Sequence, residues 1–471
     1  MIEMKKVNYI LFGALIIGSL FSSCEKQVFE DPYAYLPPES AFSTPERIEK
    51  TATGMYDALQ NREFLGGRVL IYADIRGIDG GVPTFFTNVP NFGNLNSNDL
   101  TVERAFVGAY RTIYEANLFL KNIEKYAGVA TPQNEAKYKA EAKFIRALTY
   151  FYVVNLWAQP YKFTADGSHL GVPLVLTATD LPFDPANRVS RSTVKQVYDQ
   201  IILDLTEALP SLPDVNPTTR DFGSVARANK NAVNALLARI YLYQQDYPKA
   251  LEFANKVITT NNYTLNASPK TTFTEFTTKE SIFSVAHNGS DNPNTNNALA
   301  QHYAPNLRAD IQASSELVNL MKPEDLRRKD LITIAQGSFW NAKYTNIGDW
   351  APILRYSEVL LTKAEALANI ATGTTVDAEA LALVNQIRHR SDPSTTIVAA
   401  NKAALISAIL TERRIELAFE GHGIFEFLRT GRDIPAHGTV PLQAWGSPRV
   451  VFPFPFAETQ QNPNLVQNQD Y

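Results

Sequence analysis

Residues 229–260 read NKNAVNALLARIYLYQQDYPKALEFANKVITT. Ala232, Ala235, Leu236, Ala238, Ile240 and Tyr241 recur at helical spacing. A turn, Asp246-Tyr247-Pro248, interrupts them, and a second helical run carries Ala250, Leu251, Ala254 and Ile258. Small residues at the crossing points let two helices approach closely, and the aromatic fills the corner. One such hairpin cannot bury its own apolar stripe, so hairpins must stack side by side.

Working outward, two more stretches show the same pattern. At 351–390 a first helix carries Tyr356, Val359, Leu360, Ala364 and Ala366, and a second carries Ala378, Ala380, Val384 and Ile387. Residues 103–126 and 134–157 make the third pair, through Phe106, Tyr110, Ile113 and Leu118 in one helix and Ala142, Ile145, Leu148 and Tyr152 in the other. Ser43-Thr44-Pro45-Glu46 is a helix start, with a hydroxyl cap, an early proline and a first-turn acid, for a helix running to about Asn61. Ser192 starts another, stopped by Pro210 and Pro213. The fold class is therefore all-α: a tetratricopeptide-like helical-hairpin superhelix with long irregular loops and minor β-structure. The loops are 76–101, the Asn- and Thr-rich 261–300 with one strand at 281–285, and 331–350; the tail 434–471 wraps the surface. Residues 39–471 read as a single domain.

The chain has 471 residues, 45% hydrophobic, with a formal charge of −4, enough apolar material for a large core and no basic excess pointing to nucleic acid. Its one cysteine, Cys24, excludes an internal disulfide and a Cys-rich metal site, and its six histidines are scattered without HExxH spacing. Lys5 and Lys6 precede an apolar run at 7–21, then Ser22, Ser23 and Cys24. A basic start, an apolar stretch and small residues before a cut form an export signal, and the run is short of the roughly 20 residues a spanning helix needs. The segment resembles a bacterial lipoprotein signal, in which the cysteine becomes the lipid-bearing N-terminus; Phe21 stands where such signals commonly carry leucine, and Leu20 precedes it. Residues 1–23 are thus the expected signal, Cys24 the lipid attachment point, and 24–38 a polar tether.

Several pieces, in order along the mature chain, carry a family resemblance. They are Cys24-Glu25-Lys26 with Phe29-Glu30-Asp31-Pro32, Ala142-Lys143-Phe144-Ile145-Arg146-Ala147, Gly171-Val172-Pro173-Leu174, Ala235-Leu236-Leu237-Ala238-Arg239-Ile240-Tyr241, and Leu354-Arg355-Tyr356-Ser357-Glu358-Val359-Leu360-Leu361. The most specific is Glu412-Arg413-Arg414-Ile415-Glu416-Leu417-Ala418-Phe419-Glu420-Gly421-His422, and Asn462-Pro463-Asn464-Leu465 resembles a C-terminal signature. Together they resemble the SusD/RagB outer-membrane nutrient-binding lipoproteins. The resemblance implies an extracellular protein on the outer membrane, four tetratricopeptide-like helix pairs carrying an irregular ligand-binding half, a SusC-like TonB-dependent transporter as partner, and a nutrient ligand, usually a glycan and sometimes a peptide.

Glu412, Arg413, Arg414, Glu416 and Glu420 have the residue types of general acids and bases. On one helix, Glu412, Glu416 and Glu420 share a face, and an ion-pair lattice between packed helices explains them better than catalysis. Arg355 with Glu358, and Glu365 with Arg388, read the same way. Glycoside hydrolysis needs two acids converging on one cleft, and Asp74, Asp79, Asp99, Asp291 and Asp349 show no pairing pattern. No GxSxG, Walker A, GxGxxG or EF-hand loop occurs. No catalytic residue, cofactor or metal is expected.

Aromatics in polar loops are the informative feature. Sugar rings present apolar C–H faces, which flat side chains match, while neighbouring Asn, Asp, Arg and Gln bond the hydroxyls. Phe85, Phe86, Phe92, Tyr303, Trp340 and Trp350 lie in such segments, with Trp340 the first choice for a stacking platform and Trp350 and Phe86 next. The competing reading tucks each ring under its own loop. Phe339 adjoins Trp340, Trp157 belongs to a helix core, and Lys343-Tyr344 reads as structural. The expectation is a non-enzymatic, lipid-anchored glycan-binding protein; a peptide or other-nutrient receptor of the same family, a surface glycan hydrolase and a helical scaffold with protein partners only are the alternatives.

Overall fold

Capping side chains set the helix starts. In the computed structural model, which describes residues 36–471 apart from 82–84, 87, 182–183 and 216–217, Thr44 accepts from the Arg47 amide and Pro45 opens helix α1 (Pro45–Leu59). Helix α2 (Arg68–Ile75) is buried along its whole length. Asp99, Thr131 and Thr193 cap α3 (Leu100–Lys125), α4 (Pro132–Trp157) and α5 (Val194–Ala208), the last with a full capping box to Gln196. Asn229 and Asp246 cap α6 (Lys230–Tyr243) and α7 (Tyr247–Ile258). Then follow α8 (Tyr356–Ile370), α9 (Ala378–Ser391) capped by Asp377, α10 (Lys402–Leu417) capped by Asn401, and α11 (Gly423–Arg429).

The expected hairpins are present. Helix α3 packs on α4, α4 on α5, α6 on α7, α7 on α8, and α8 on both α9 and α10, while α1 lies across α3 and α4. In α6 every residue after Lys230 is buried, so it is wrapped on all sides. Ala232, Ala238, Ala250 and Ala254 sit where α6 meets its neighbours, and Tyr241 stacks on Phe253 with ring centroids 5.4 Å apart. Ala250 is fully buried, so Ala250→Leu has no space to enter. We expect it to cost about 1–3 kcal/mol by overpacking; an unchanged chemical denaturation midpoint would place the residue outside the interface.

Strands are short and antiparallel. Strands β1 (Gly80–Gly81), β5 (Gln312–Ala313), β7 (Ser338–Asn341) and β6 (Ile332–Ala335) form one sheet in that order. Strands β2 (Leu170–Pro173) and β3 (Arg191–Thr193) pair, as do β4 (Ser281–Val285) and β8 (Ala351–Arg355). The 331–350 segment, expected as loop, contains the β6–β7 hairpin. Its two turn residues, Gln336 and Gly337, both take positive φ (54° and 74°), the geometry that lets two strands return tightly.

The tail also departs from expectation. Phe452 and Phe454 are fully buried, the Phe452 amide donates to the Leu156 carbonyl at 2.7 Å, and Trp157 Nε1 donates to the Pro453 carbonyl. Residues 452–454 therefore close the core at the end of α4 rather than running over the surface. The expected signal, Cys24 and residues 25–35 of the tether lie outside the described residues. No helix among the described residues is long and apolar enough to cross a membrane.

Candidate ligand-binding face

The charged signature is structural. Arg355 donates to Glu420 (2.6 Å), Glu416 (2.7 Å) and Glu280 (3.0 Å), and Arg327 to Glu412 (2.6 Å), Glu416 (3.1 Å) and Asp325 (2.8 Å). Lys343 Nζ bonds Glu420 and the carbonyls of Glu416 and Ala418. Against the cost of burial, Arg390, Arg355 and Arg327 hold the Glu416 carboxyl well below the usual carboxylate range. Held as a carboxylate by three guanidiniums, Glu416 has no proton to give as a general acid.

The partners differ from the sequence reading in three places. Arg355 does not pair with Glu358, because it is the last residue of β8 and its extended backbone (φ −141°) precludes helical i,i+3 spacing; Glu358 pairs with Arg239 instead. Glu365 binds Arg429 at 2.6 Å, not Arg388, which joins Glu412 and Asp325. Glu420 is not on the helix of Glu412 and Glu416: α10 ends at Leu417, and Phe419 (φ 64°) and Gly421 (φ 80°) turn the chain. A Cβ on Gly421 would lie 2.6 Å from Leu70 Cδ2, so only glycine fits that turn. The turn aims the amides of Gly421, His422 and Gly423 at the Asp74 carboxylate (2.9, 3.2 and 3.2 Å), which locks α11 to the end of α2. Burial pushes the Asp74 carboxyl up to about 7, with the Gly421 and Gly423 amides pulling the other way.

The expected stacking residues divide. Trp340, the first choice, is 4% exposed and donates from Nε1 to the Ala335 carbonyl, so it closes the β6–β7 hairpin and offers no open face. Tyr303 is fully buried, bonding Asp74 and packing on Phe419, and Phe92 is buried beneath the Arg76 guanidinium at 4.3 Å. For these three the local mini-core prevails, because a neighbouring buried polar group or ring recruits each one. Phe85 and Phe86 are half-buried but covered: Arg308 lies 4.3 Å from the Phe85 centroid and Arg68 4.7 Å from that of Phe86.

Trp350 is placed differently. It is half-buried, donates from Nε1 to the His287 carbonyl (2.8 Å), and stacks on Phe276 with centroids 5.3 Å apart and planes 9° from parallel. Phe222, 56% exposed, stands edge-on to it at 5.6 Å. One face of the indole is thus backed by a ring, and an exposed ring extends the surface.

Beside these rings the surface hollows into two adjoining clefts of about 350 and 530 Å³, which share Asp57, Gln60 and Asp291. Phe222, Tyr56 and Ser284 line the first; Arg62, Arg104, Arg111 and Asn292 line the second. The Asn-rich loop, residues 288–297, borders both. It follows His287, which holds Trp350, and its Asn296 and Asn297 receive hydrogen bonds from Arg68 and Arg308. Gly348 is fixed under it, since a Cβ there would meet the Asn288 carbonyl carbon at 2.8 Å.

Phe222, Phe276, Gln60 and the three arginines escaped the sequence reading. Phe222 opens a five-residue helix, Phe222–Ala226, too short to show periodicity. A signal existed for the arginines: Arg104, exposed Val107 and Arg111 recur at i, i+3 and i+7 on the side of α3 away from its core stripe. Among the described residues no group of histidine, cysteine and acidic side chains is arranged to hold a metal ion.

Comparison with known proteins follows the same lines. A family model described as starch-binding and associating with the outer membrane matches residues 30–242, and the SusD family model matches residues 329–471. SusD-like protein P25 of Formosa agariphila is 26% identical, with 98% of each chain covered. The crystal structure of a SusD superfamily protein from Bacteroides fragilis is 30% identical, covering 90% of this chain and 99% of that one, with a TM-score of 0.79. A laminarin-binding SusD-like protein shares the fold at 22% identity and a TM-score of 0.72, covering 91% of this chain and all of its own. With family models matching 30–242 and 329–471 and a SusD superfamily relative 30% identical over 90% of the chain, the chain belongs to the SusD/RagB family.

Proposed function

We propose that this protein is a cell-surface glycan receptor, held on the outer membrane by lipid on Cys24, which captures oligosaccharide and passes it to a SusC-like TonB-dependent transporter. The observation that carries the binding step is the Phe276–Trp350–Phe222 ring cluster at the edge of a cleft lined by Gln60, Asp57 and Ser284. Stacked rings supply flat apolar area for a sugar face, and the adjacent carboxylate, amide and hydroxyl groups bond its hydroxyls. The laminarin-binding neighbour and the starch-binding description of the matched family model support a glycan over a peptide. The outer-membrane association in that description supports the location, and the lipoprotein-like signal supports the anchor. Binding without bond cleavage accords with the carboxylates of the signature being locked by arginines.

Losing one aromatic face costs about 1–3 kcal/mol, so Trp350→Ala and Phe222→Ala should each weaken oligosaccharide binding about tenfold to a hundredfold by calorimetric titration. Phe222 is exposed, so its loss should leave the thermal melt unchanged. Wild-type affinity in both variants would move the site off this cluster.

A further inference from the structure

The wider cleft is lined by charge of both signs that is only loosely paired. Asp57 and Asp291 reach it from the end of α1 and from the Asn-rich loop, and Glu103, Arg104 and Arg111 from α3. Arg62 and Glu63, from the turn after α1, are 4.0 Å apart and solvent-screened. Among the described residues the side chains of Asp57, Asp291, Glu103, Arg104 and Arg111 make no hydrogen bond or ion pair with one another. Elsewhere in this molecule facing guanidiniums and carboxylates close to contact, as in the lattice around Arg355. Here they stand apart across about 530 Å³ of open space. Four carboxylates (Asp57, Glu63, Glu103, Asp291) face three guanidiniums.

We infer, on the reading of the face as a glycan site, that this cleft selects uncharged sugars, held through their free hydroxyls, and rejects acidic ones. A sugar hydroxyl both donates and accepts, so one sugar residue satisfies a carboxylate and a guanidinium together, filling the gap between them. The carboxylate of a uronate or the sulfate of an ester finds the arginines but also meets the more numerous carboxylates, which repel it, and that group has no proton to offer them.

The test titrates the full lipid-free chain with neutral hexasaccharides (β-1,3-, β-1,4- and α-1,4-glucans and β-1,4-mannan) and acidic ones (galacturonan and mannuronan), at low and high salt. At low salt the best neutral ligand should bind at least about tenfold more tightly than either acidic one, and salt should narrow the gap by screening. Asp57→Asn combined with Asp291→Asn, both exposed positions, should weaken the neutral ligand and strengthen the acidic ones. Acidic ligands binding as tightly as neutral ones would overturn the inference and leave the receptor reading standing. A neutral preference that the double variant does not alter would remove the cleft from the site. Failure of every hexasaccharide to bind would overturn the glycan reading itself, and this inference with it.

Discussion

Arg355→Met is expected to destabilise the protein by about 3–5 kcal/mol, the cost of leaving buried carboxylates without their partner. Arg355 is buried and contacts Glu280, Glu416 and Glu420, with a further hydrogen bond to the Ser357 hydroxyl. It joins β8, the strand leading into α8, to the end of α10 and the turn beyond it. Methionine fills much of the volume but neutralises nothing, and Lys343, Arg327 and Arg390 must then hold these acids alone. The measurement is chemical denaturation. Adding Glu416→Gln and Glu420→Gln to Arg355→Met should restore part of the loss, because the uncompensated charges go with them; a single variant as stable as wild type would show the lattice to be dispensable. The pH dependence has a definite sign. Against the cost of burial, their arginine and lysine partners depress the folded values of Glu416 and Glu420, so the contribution of these groups is present above the unfolded carboxylate value, and it is lost as pH falls through the depressed folded values.

Cys24→Ala is expected to move the protein from the membrane fraction to the soluble one. On the proposed reading the 7–21 run would leave with the signal and lipid on Cys24 would be the anchor; no helix among the described residues is long and apolar enough to cross a membrane. Fractionation should be done in cells lacking the transporter, since a docked partner would hold unlipidated protein at the membrane. Retention of the variant there would end the lipoprotein reading.

The scaffold was legible because its signals are local. Alanines at helical spacing around Asp246-Tyr247-Pro248 specify a close-packed hairpin whatever surrounds it, and Thr44 announces a helix start with its own side chain; the start expected at Ser192 falls one residue later, where Thr193 caps α5. The Glu412–Glu420 run was legible as a lattice, since that many charges amid apolar residues must be paired when buried. Its partners were not: Arg355 meets Glu416 and Glu420 across 61 and 65 residues of sequence, and no spacing rule reaches that far.

The candidate site shows the same division. Of the aromatics in polar loops, Trp350 stands beside the clefts, packed on Phe222. Which aromatic stays open is decided by what the fold brings to it. The two-residue turn at Gln336-Gly337 folds Trp340 back onto the Ala335 carbonyl, Asp74 draws Tyr303 inward, and Arg76 covers Phe92. Phe222 joins the proposed site only because a five-residue helix sets it against Trp350, 128 positions away. Sequence by itself determined the helical hairpins, the expected export signal and the charge inventory, because helix periodicity, capping and an apolar run are properties of neighbouring residues. Tertiary structure alone decided the ion-pair partners, the burial of Phe452 and Phe454, and the rings left open to a ligand, because burial is set by chain segments that meet only after folding.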